Sequence, residues 1–171
     1  MTDLSDHVAR VFRFALRLTG NHHEAEDITQ ETLLRAWRKR DQLRDSAATR
    51  VWLFRIATNV WRDRVRRGRH AAGQTRPLDD EIPSDVASPA QTASARDEVR
   101  RAVEAMDSLP PRQREVLYLH ACEELTHIQI AESLDTNVES VKANLSLARK
   151  KMREQLAALA DDETSPSHST T

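Results

Sequence analysis

Three groups of side chains in this sequence have residue types and spacings suited to molecular recognition. Asp27, Gln30 and Glu31 lie three or four residues apart, which places an acidic and amide surface on one helix face. Residues 35–76 hold thirteen Lys and Arg side chains against three acidic ones. Residues 126–153 combine two helix-start patterns with amide, hydroxyl and basic side chains. The basic group beside acidic ones predicts a polyanion partner on one face and other partners elsewhere, and no catalytic residue is expected.

The composition excludes several classes of protein. The chain has 171 residues with three glycines and one cysteine, so a glycine-rich phosphate loop, an intramolecular disulfide and a multi-cysteine zinc site are all ruled out. His120 and Cys122 lie close together, but no further ligand accompanies them, so no metal is expected. No apolar run approaches the roughly 20 residues of a membrane span, and residues 1–10 lack the apolar core of a secretory signal. We therefore expect a cytoplasmic protein without a cofactor.

The charge is segregated along the chain. The formal net charge is −1, yet residues 35–76 carry a net charge of +10. The basic side chains interleave with aromatic ones, as in surfaces that stack bases and pair phosphates of single-stranded DNA. Among these aromatic residues, Trp37 and Phe54 are predicted to lie in the core. Trp52 and Trp61 are left open between core and base stacking.

Apolar spacing predicts long helices and an all-α fold. A first helix carries an apolar stripe over residues 8–16 and is expected to end at Gly20 and Asn21, which tolerate a left-handed cap. Further helices are predicted at about residues 22–40, 47–67, 94–108 and 112–122. The third helix has the widest apolar face, so it is expected to be the most buried.

A segment rich in proline, acids and small residues divides the helices into two groups. Residues 68–93 lack helical periodicity, which predicts a flexible linker. Fully extended, this linker would reach about 85–95 Å. The sequence thus predicts two small helical domains, over residues 1–67 and 94–160, followed by a disordered tail over residues 161–171.

Two helix starts lie about ten residues apart in the second predicted domain. Thr126 with Gln129, and Thr136 with Glu139, both match the capping-box pattern. The second start leads into a strongly periodic helix, so residues 126–153 predict a helix-turn-helix, whose second helix would lie in the major groove of DNA. An ordinary antiparallel pair of helices fits the periodicity equally well.

Four sequence blocks in order resemble RNA polymerase sigma factors of the extracytoplasmic-function (ECF) group. The blocks are residues 25–37 (AEDITQETLLRAW), 52–59 (WLFRIATN), 109–117 (LPPRQREVL) and 128–134 (IQIAESL). Residues 141–142 and 148–150 are similar to the recognition helix of the same family. The resemblance covers about residues 8–67 and 94–156.

The resemblance implies a function in transcription initiation in the bacterial cytoplasm. It implies that the N-terminal domain binds the clamp helices of core RNA polymerase and the −10 promoter element. The C-terminal domain would bind the −35 element and the polymerase flap. The expected partners are therefore core polymerase and promoter DNA, with an anti-sigma factor as a further candidate and no membrane insertion.

The resemblance also implies roles for individual residues. Core polymerase binding is implied for Asp27, Gln30, Glu31, Leu34 and Arg35. A pocket for a flipped-out −10 base is implied for Lys39, Leu43, Ile56, Asn59 and Asp63, with Arg62, Arg64, Arg66 and Arg67 on the DNA backbone. Binding of the −35 element is implied for Ser140, Lys142, Ala143, Asn144, Ser146, Arg149 and Lys150. An amide such as that of Asn59 can read a base edge.

The predicted recognition helix departs from the family pattern. The family usually has Gly-Thr-Val-Lys-Ser-Arg and then another arginine, whereas residues 139–144 here read ESVKAN and Leu147 follows. Fewer bidentate guanine contacts are available, while Asn144 could read adenine. The residue after Leu134 is Asp135 instead of the common glycine, which puts the turn in question.

Two other functions are left open by the sequence. A stand-alone helix-turn-helix regulator would bind duplex DNA, usually as a dimer, but would not need the acidic signature of residues 27–35 or the basic third helix. A sigma-like interaction protein would bind polymerase without reading a promoter, which the altered recognition helix permits.

Overall fold

All regular secondary structure in the described part of the chain is helical, which confirms the all-α prediction. A computed structural model describes residues 4–42, 48–71 and 93–164, and no strand occurs within these ranges. The helices are α1 (Ser5–Thr19), α2 (His22–Arg38), α3 (Thr49–Ala71), α4 (Ala93–Asp107), α5 (Pro111–Ala121), α6 (His127–Ser133) and α7 (Val138–Thr164), with a 3-10 turn at Arg40–Gln42. None of the described helices has the length and apolarity to cross a bilayer.

The first two helices form a hairpin whose ends are set by their cap residues. Gly20 adopts a left-handed conformation with φ of 66°, and its N–H donates to the Leu16 carbonyl, so α1 stops there as predicted. Asn21 then starts α2, since its side chain accepts a hydrogen bond of 2.9 Å from the Glu24 N–H. The hairpin packs on α3, and Phe14 meets Phe54 edge to face with ring centroids 5.2 Å apart.

The C-terminal helices contain the predicted helix-turn-helix, with one correction to its caps. Thr126 and Gln129 form both arms of a capping box at the start of α6. The second predicted box, based on Thr136, is wrong. Asn137 Oδ1 accepts the Ser140 N–H at 2.7 Å, so the cap of α7 lies one residue later, because an asparagine caps at least as well as a threonine.

Asp135 takes the conformation that glycine commonly takes in this turn. Its φ is 52°, in the left-handed region, and the Thr136 N–H donates to the Ala131 carbonyl at 2.9 Å. Aspartate tolerates this region better than most residues, although less well than glycine. The missing glycine therefore does not prevent the turn between α6 and α7.

The N-terminal and C-terminal helices pack against each other through a shared core. Tyr118 on α5 lies 5.5 Å from Phe14 on α1, measured between ring centroids, and both side chains are buried. The buried Ser133 Oγ of α6 donates to the Val51 carbonyl of α3 at 3.2 Å. This arrangement, in which α1 and α3 face α5 and α6, is called the closed arrangement below.

Among the described residues, four ion pairs cross the interface between the two groups of helices, which is called the seam below. Each pair has its arginine on the N-terminal side and its acid on the C-terminal side. The pairs are Arg10–Glu123 at 3.0 Å, Arg17–Asp107 at 3.3 Å, Arg62–Glu115 at 3.3 Å and Arg55–Asp135 at 3.9 Å. Glu115 and Glu123 are almost fully buried. Burial of a charge is costly unless it is paired, so Glu123 depends on Arg10, whereas Glu115 has a second partner in Arg112 at 2.9 Å.

The predicted linker and tail fall largely outside the described residues. α3 continues to Ala71 and α4 begins at Ala93, while residues 72–92 are not among those described. At the C-terminus α7 extends to Thr164, and residues 165–171 lie outside the description.

Candidate protein and nucleic-acid interfaces

The outer face of α2 carries the residues predicted to bind core polymerase. Asp27 and Gln30 are exposed, and Leu34 keeps 49% of its surface in solvent. Their spacing of three or four residues aligns them along one side of the helix. An exposed leucine beside acidic and amide groups is a mixed surface suited to a protein partner.

Trp37 extends this face, and the prediction that it lies in the core is wrong. The indole is 58% exposed, and the Arg40 guanidinium stacks over it at 4.4 Å from the ring centroid. The neighbouring Ala36 is fully buried, so at this turn of α2 it is Ala36 that faces the core and Trp37 that faces solvent. Phe54, by contrast, is buried as predicted.

Arg35 and Asp63 connect the α2 face to α3. Arg35 Nε donates to Glu31 at 2.7 Å, and its Nη1 lies 3.5 Å from Asp63. The hydrogen bond to Glu31 is the main cause of a raised pKa at Arg35. Asp63 also pairs with Arg66 at 2.6 Å. These contacts connect α2 to α3 and orient Arg66. Asp63, the one acid among the residues predicted to bind the −10 element, is therefore paired with two arginines.

α3 carries a stripe of side chains suited to nucleic acid. Arg55, Asn59, Arg62 and Arg66 follow one another at intervals of four or three residues, so they lie on one side of the helix. Asn59 and Arg66 are exposed. Guanidinium groups on both sides of an amide can bind phosphates while the amide contacts a base edge.

The other residues predicted at the −10 element are placed differently. Lys39 is exposed at the end of α2, Ile56 is half-buried between the two parts of the core, and Arg67 is exposed. Leu43 lies outside the described residues. The structure therefore places Asn59 on one side of α3 with Arg55, Arg62 and Arg66, and it does not describe a complete base pocket. Arg64 instead pairs with Asp27 on α2 at 3.2 Å.

The first turns of α7 present the residues predicted to bind the −35 element. Val141, Leu145 and Ala148 are buried against the core, which turns the other side of the helix to solvent. Five of the predicted residues are exposed, namely Lys142, Ala143, Ser146, Arg149 and Lys150. Ser140 and Asn144 are half-buried, and Asn144 Nδ2 donates to the Ser140 carbonyl at 2.8 Å.

His120 contacts Arg149 on α7. Its Nε2 lies 2.9 Å from Arg149 Nη2, and its Nδ1 lies 3.4 Å from the Leu125 carbonyl. Because arginine can only donate, His120 Nε2 is the acceptor and Nδ1 carries the proton. Across the described ranges, no group of three His, Cys, Asp or Glu side chains converges on a common point.

Burial at the domain seam changes the pKa of several groups. Burial raises the pKa of Asp107, although Arg17 and Arg114 oppose this change. It lowers the pKa of Arg114, whose guanidinium donates to the carbonyls of Arg17 and Leu109 at 2.9 and 3.0 Å and also to that of Asp107. Burial likewise raises the pKa of Tyr118, and Glu123 adds to this effect.

Two sets of residues were not singled out from the sequence. Arg55 belongs to the α3 stripe, and its spacing of four residues from Asn59 was the available signal. Glu115 and Glu123 pair with Arg62 and Arg10 across the seam. In the sequence, however, they have no feature that distinguishes them from ordinary surface acids. No local pattern distinguishes an acid that becomes buried by contact with a distant helix.

The comparisons with known proteins match both halves of the chain. Residues 4–71 match the family model described as Sigma-70 region 2, and residues 100–152 match that described as Sigma-70, region 4. The chain is 35% identical to the ECF RNA polymerase sigma factor SigE of Mycolicibacterium smegmatis, over 88% of this chain and 59% of that protein. It is 34% identical to the ECF RNA polymerase sigma factor SigL of Mycobacterium tuberculosis, over 90% of this chain and 86% of that protein.

The fold is similar to that of a solved sigma factor in a complex. The sigma factor RpoE of Bartonella quintana, crystallised with the anti-sigma factor NepR, superposes with a TM-score of 0.75 and 25% identity, over 90% of this chain and 94% of that one. The chain thus spans nearly all of RpoE and most of SigL, but less than two thirds of SigE.

Proposed function

The chain belongs to the extracytoplasmic-function group of RNA polymerase sigma factors, and we propose that it binds core RNA polymerase and directs it to promoters. One observation carries this proposal. The same small domain presents an exposed acidic and apolar face on α2 and a cationic stripe on α3, next to a second domain with a helix-turn-helix. A stand-alone regulator needs only the last of these.

The α2 face is the proposed contact with the polymerase clamp helices. Leu34 and Trp37 supply apolar area, and Asp27, Gln30 and Glu31 supply hydrogen-bond acceptors around it. Apolar anchors inside a polar rim are typical of protein interfaces with high affinity. Because these side chains are already exposed, binding would not require them to leave the core.

The α3 stripe is the proposed contact with the −10 element. Arginines on either side of Asn59 would bind the DNA backbone, while the Asn59 amide would read a base that leaves the stack. Unstacking a base costs a few kcal/mol, which the pocket must recover through such contacts. In this proposal the chain performs no chemistry of its own and assists DNA melting only by binding the unpaired strand.

The closed arrangement does not fit simultaneous binding of both promoter elements. Arg62 Nη1 lies 3.1 Å from the Leu134 carbonyl, and Lys142 follows Leu134 by eight residues. At about 3.8 Å per residue, Lys142 is therefore within roughly 30 Å of Leu134. A promoter spacer of about 17 base pairs extends about 58 Å. The two domains must consequently separate before both can bind DNA.

The chain between the domains is long enough for this separation. From Ala71 to Ala93 its contour length is about 75 Å, which exceeds the promoter spacer. Core polymerase would hold the separated domains by their two contacts, with the clamp helices on the N-terminal domain and the flap on the C-terminal domain. We propose the bacterial cytoplasm as the location, since core polymerase works there.

An anti-sigma factor is a further proposed partner. The similar sigma factor RpoE was crystallised in complex with the anti-sigma factor NepR. The closed arrangement of this chain would suit an inhibitor that binds both domains at once. Such an inhibitor would act by preventing the separation that promoter binding requires.

Run-off transcription from fragmented genomic DNA of the source organism tests the proposed function. Core polymerase should yield new discrete transcripts only when the chain is added. Asp27→Ala and Asn59→Ala should each abolish them, the first with loss of polymerase binding and the second without it. The matched controls Asp41→Ala and Gln155→Ala replace exposed residues of the same kinds outside the proposed interfaces and should transcribe normally.

The other outcomes separate the alternative functions. Polymerase binding without any new transcript would identify a sigma-like interaction protein. Binding to duplex DNA at symmetric half-sites without polymerase would identify a stand-alone regulator.

A further inference from the structure

The outermost side chains at the start of α7 are unusual for a helix that enters the major groove. Glu139, Ala143 and Leu147 follow at intervals of four residues, opposite the buried Val141 and Leu145. All three are exposed, with 49% of Leu147 in solvent. None of these side chains carries a hydrogen-bond donor at neutral pH.

This chemistry does not match guanine. In the major groove guanine offers only the acceptors N7 and O6, so reading it requires a donor such as arginine. Cytosine instead offers the N4 amino group, which a glutamate can accept, and thymine offers its C5-methyl group, which suits alanine and leucine. We propose that α7 reads the −35 element through pyrimidine edges, with Glu139 on a cytosine amino group and Ala143 and Leu147 on thymine methyl groups.

The polar neighbours of this stripe support the assignment. Asn144 and Ser140 are half-buried, and Asn144 Nδ2 is engaged by the Ser140 carbonyl, to which it donates at 2.8 Å. Lys150 comes one turn after Leu147, beyond the N-terminal part of a recognition helix that contacts base edges. The stripe itself therefore has no donor for guanine, and the exposed donors beside it in the first turns are Lys142 and Ser146.

Cations flank the stripe where the DNA backbone would run. Lys142 and Arg149 are seven residues apart and lie along one edge, whereas Lys151 lies along the other, and all three are exposed. His120 fixes the guanidinium of Arg149 through the contact at 2.9 Å. Phosphate contacts on both sides would position the helix, and they would leave base discrimination to the uncharged and acidic stripe.

The assignment rests on the proposed function, because it requires α7 to enter the major groove of a promoter. A helix-stabilising role for Glu139 is the competing explanation, since an acid in the first turn interacts favourably with the helix dipole. That role alone would leave base preference unchanged when Glu139 is replaced.

The test is transcription by the holoenzyme from a barcoded promoter library with random −35 and −10 windows. Templates recovered with the wild-type chain are then resynthesised with modified bases in the −35 window. Uracil in place of thymine removes the methyl group, and 7-deazaguanine in place of guanine removes the N7 acceptor. Uracil should lower transcription about fourfold for each contacted methyl group, and 7-deazaguanine should have no effect.

Two variants and two matched controls complete the test. Leu147→Arg should lose sensitivity to uracil and gain a preference for guanine of roughly 5- to 160-fold, as expected for a bidentate contact. Glu139→Gln should weaken the preference for cytosine at one position. The controls Leu156→Arg and Glu154→Gln make the same changes further along α7 and should leave the selected sequence unchanged.

The proposal is overturned if 7-deazaguanine lowers wild-type transcription, or if Leu147→Arg and Glu139→Gln select the wild-type sequence. It is also overturned if the −35 window shows no preference while the −10 window does, and in that case the proposed function stands. If no template is transcribed at all, the proposed function fails and this inference fails with it.

Discussion

Arg62 on α3 places its Nη2 3.3 Å from the Oε2 of Glu115 on α5, a carboxylate with only 1% of its surface exposed. An arginine predicted to bind promoter DNA is thus engaged by an acid of the other domain. Arg112 binds the same oxygen at 2.9 Å, so Glu115 stays paired if Arg62 leaves. The C-terminal domain therefore offers Arg62 a negative group, as the DNA backbone would. Arg62 can leave this group at a modest cost in free energy, because Arg112 remains bound to Glu115.

Charge reversal on α1 should open the closed arrangement. In an Arg10→Glu, Arg17→Glu double variant, the buried Glu123 and the partly buried Asp107 would each face a like charge. Breaking a buried ion pair costs about 3–5 kcal/mol, and separation of the domains relieves this cost by returning the acids to water. Small-angle X-ray scattering should show a radius of gyration clearly above the roughly 16 Å expected for a compact chain of this length.

A control with the same net charge distinguishes opening at the seam from general repulsion. Arg38 and Arg153 are exposed and lie away from the seam, so the Arg38→Glu, Arg153→Glu variant should keep the wild-type dimensions. Equal dimensions for the α1 variant and the wild type would show that the ion pairs do not hold the domains together.

Tyr118 should report the closure of the domains through its ionisation. It is the sole tyrosine of the chain, and burial against Phe14 raises its pKa well above the ordinary value of 10.0. Tyrosinate absorbance should therefore appear at a higher pH in the native protein than in urea. Between these two pH values the unfolded chain binds fewer protons than the native one, so stability falls as the pH rises above about 10.

The same titration separates burial by α1 from burial within the C-terminal domain. In the Arg10→Glu, Arg17→Glu variant the pKa of Tyr118 should move back towards 10.0, because opening exposes the ring. Burial is the largest cause of the raised pKa, so its loss should outweigh the loss of Arg17, whose charge lowers this pKa. Tyr118→Phe should remove the alkaline loss of stability that this group causes. A native titration curve that matches the curve in urea would contradict the burial of Tyr118 in solution.

The local elements could be predicted from the sequence because their determinants are local. Gly20 ends α1 and Thr126 starts α6 through contacts within four residues, and both were predicted. The shift of the α7 cap to Asn137 lay within the ambiguity of two adjacent cap-forming residues. Trp37 was misplaced because the apolar spacing of α2 continues into its exposed face, where a partner surface and a core surface have the same residue types.

The seam between the domains could not be predicted, because its determinants lie far apart in sequence. Arg10 and Glu123 are separated by 113 positions, and neither has an unusual neighbourhood. Their pairing follows from how α1 meets the end of α5, which depends on the whole packing. The family resemblance implied the two surfaces that are proposed to bind the promoter, whereas the contacts that hold the two domains together are visible only in the structure.

Leu34→Asp should weaken polymerase binding without weakening the fold. The side chain is 49% exposed, so the free energy of unfolding should change by less than about 0.5 kcal/mol. An apolar anchor at the centre of an interface contributes about 2 kcal/mol or more, which predicts a loss of at least roughly thirtyfold in affinity for immobilised core polymerase. Val8→Asp, at a 38% exposed residue of α1, is the control and should bind normally.

Trp37 and Phe54 should differ sharply when each is replaced by alanine. Phe54 is 1% exposed, and its truncation should cost about 3–5 kcal/mol by urea denaturation. Trp37 is 58% exposed and should cost less than about 1 kcal/mol, although its loss should weaken polymerase binding. A large loss of stability in Trp37→Ala would show that the indole is buried in the core, as predicted from the sequence, and would contradict its exposure in the structure.

The start of α7 should be sensitive at Asn137 and much less so at Thr136. Asn137 Oδ1 accepts the Ser140 N–H at 2.7 Å, so Asn137→Ala leaves that donor without its partner and should cost about 0.5–2 kcal/mol. Thr136→Ala removes a hydroxyl that does not make this bond, and its effect should stay below about 0.5 kcal/mol. Urea denaturation of both variants measures the difference. A larger loss of stability in Thr136→Ala than in Asn137→Ala would place the cap at Thr136. Because the N-terminal residues of a recognition helix contact the bases, Asn137→Ala should also reduce transcription from promoters that depend on their −35 element.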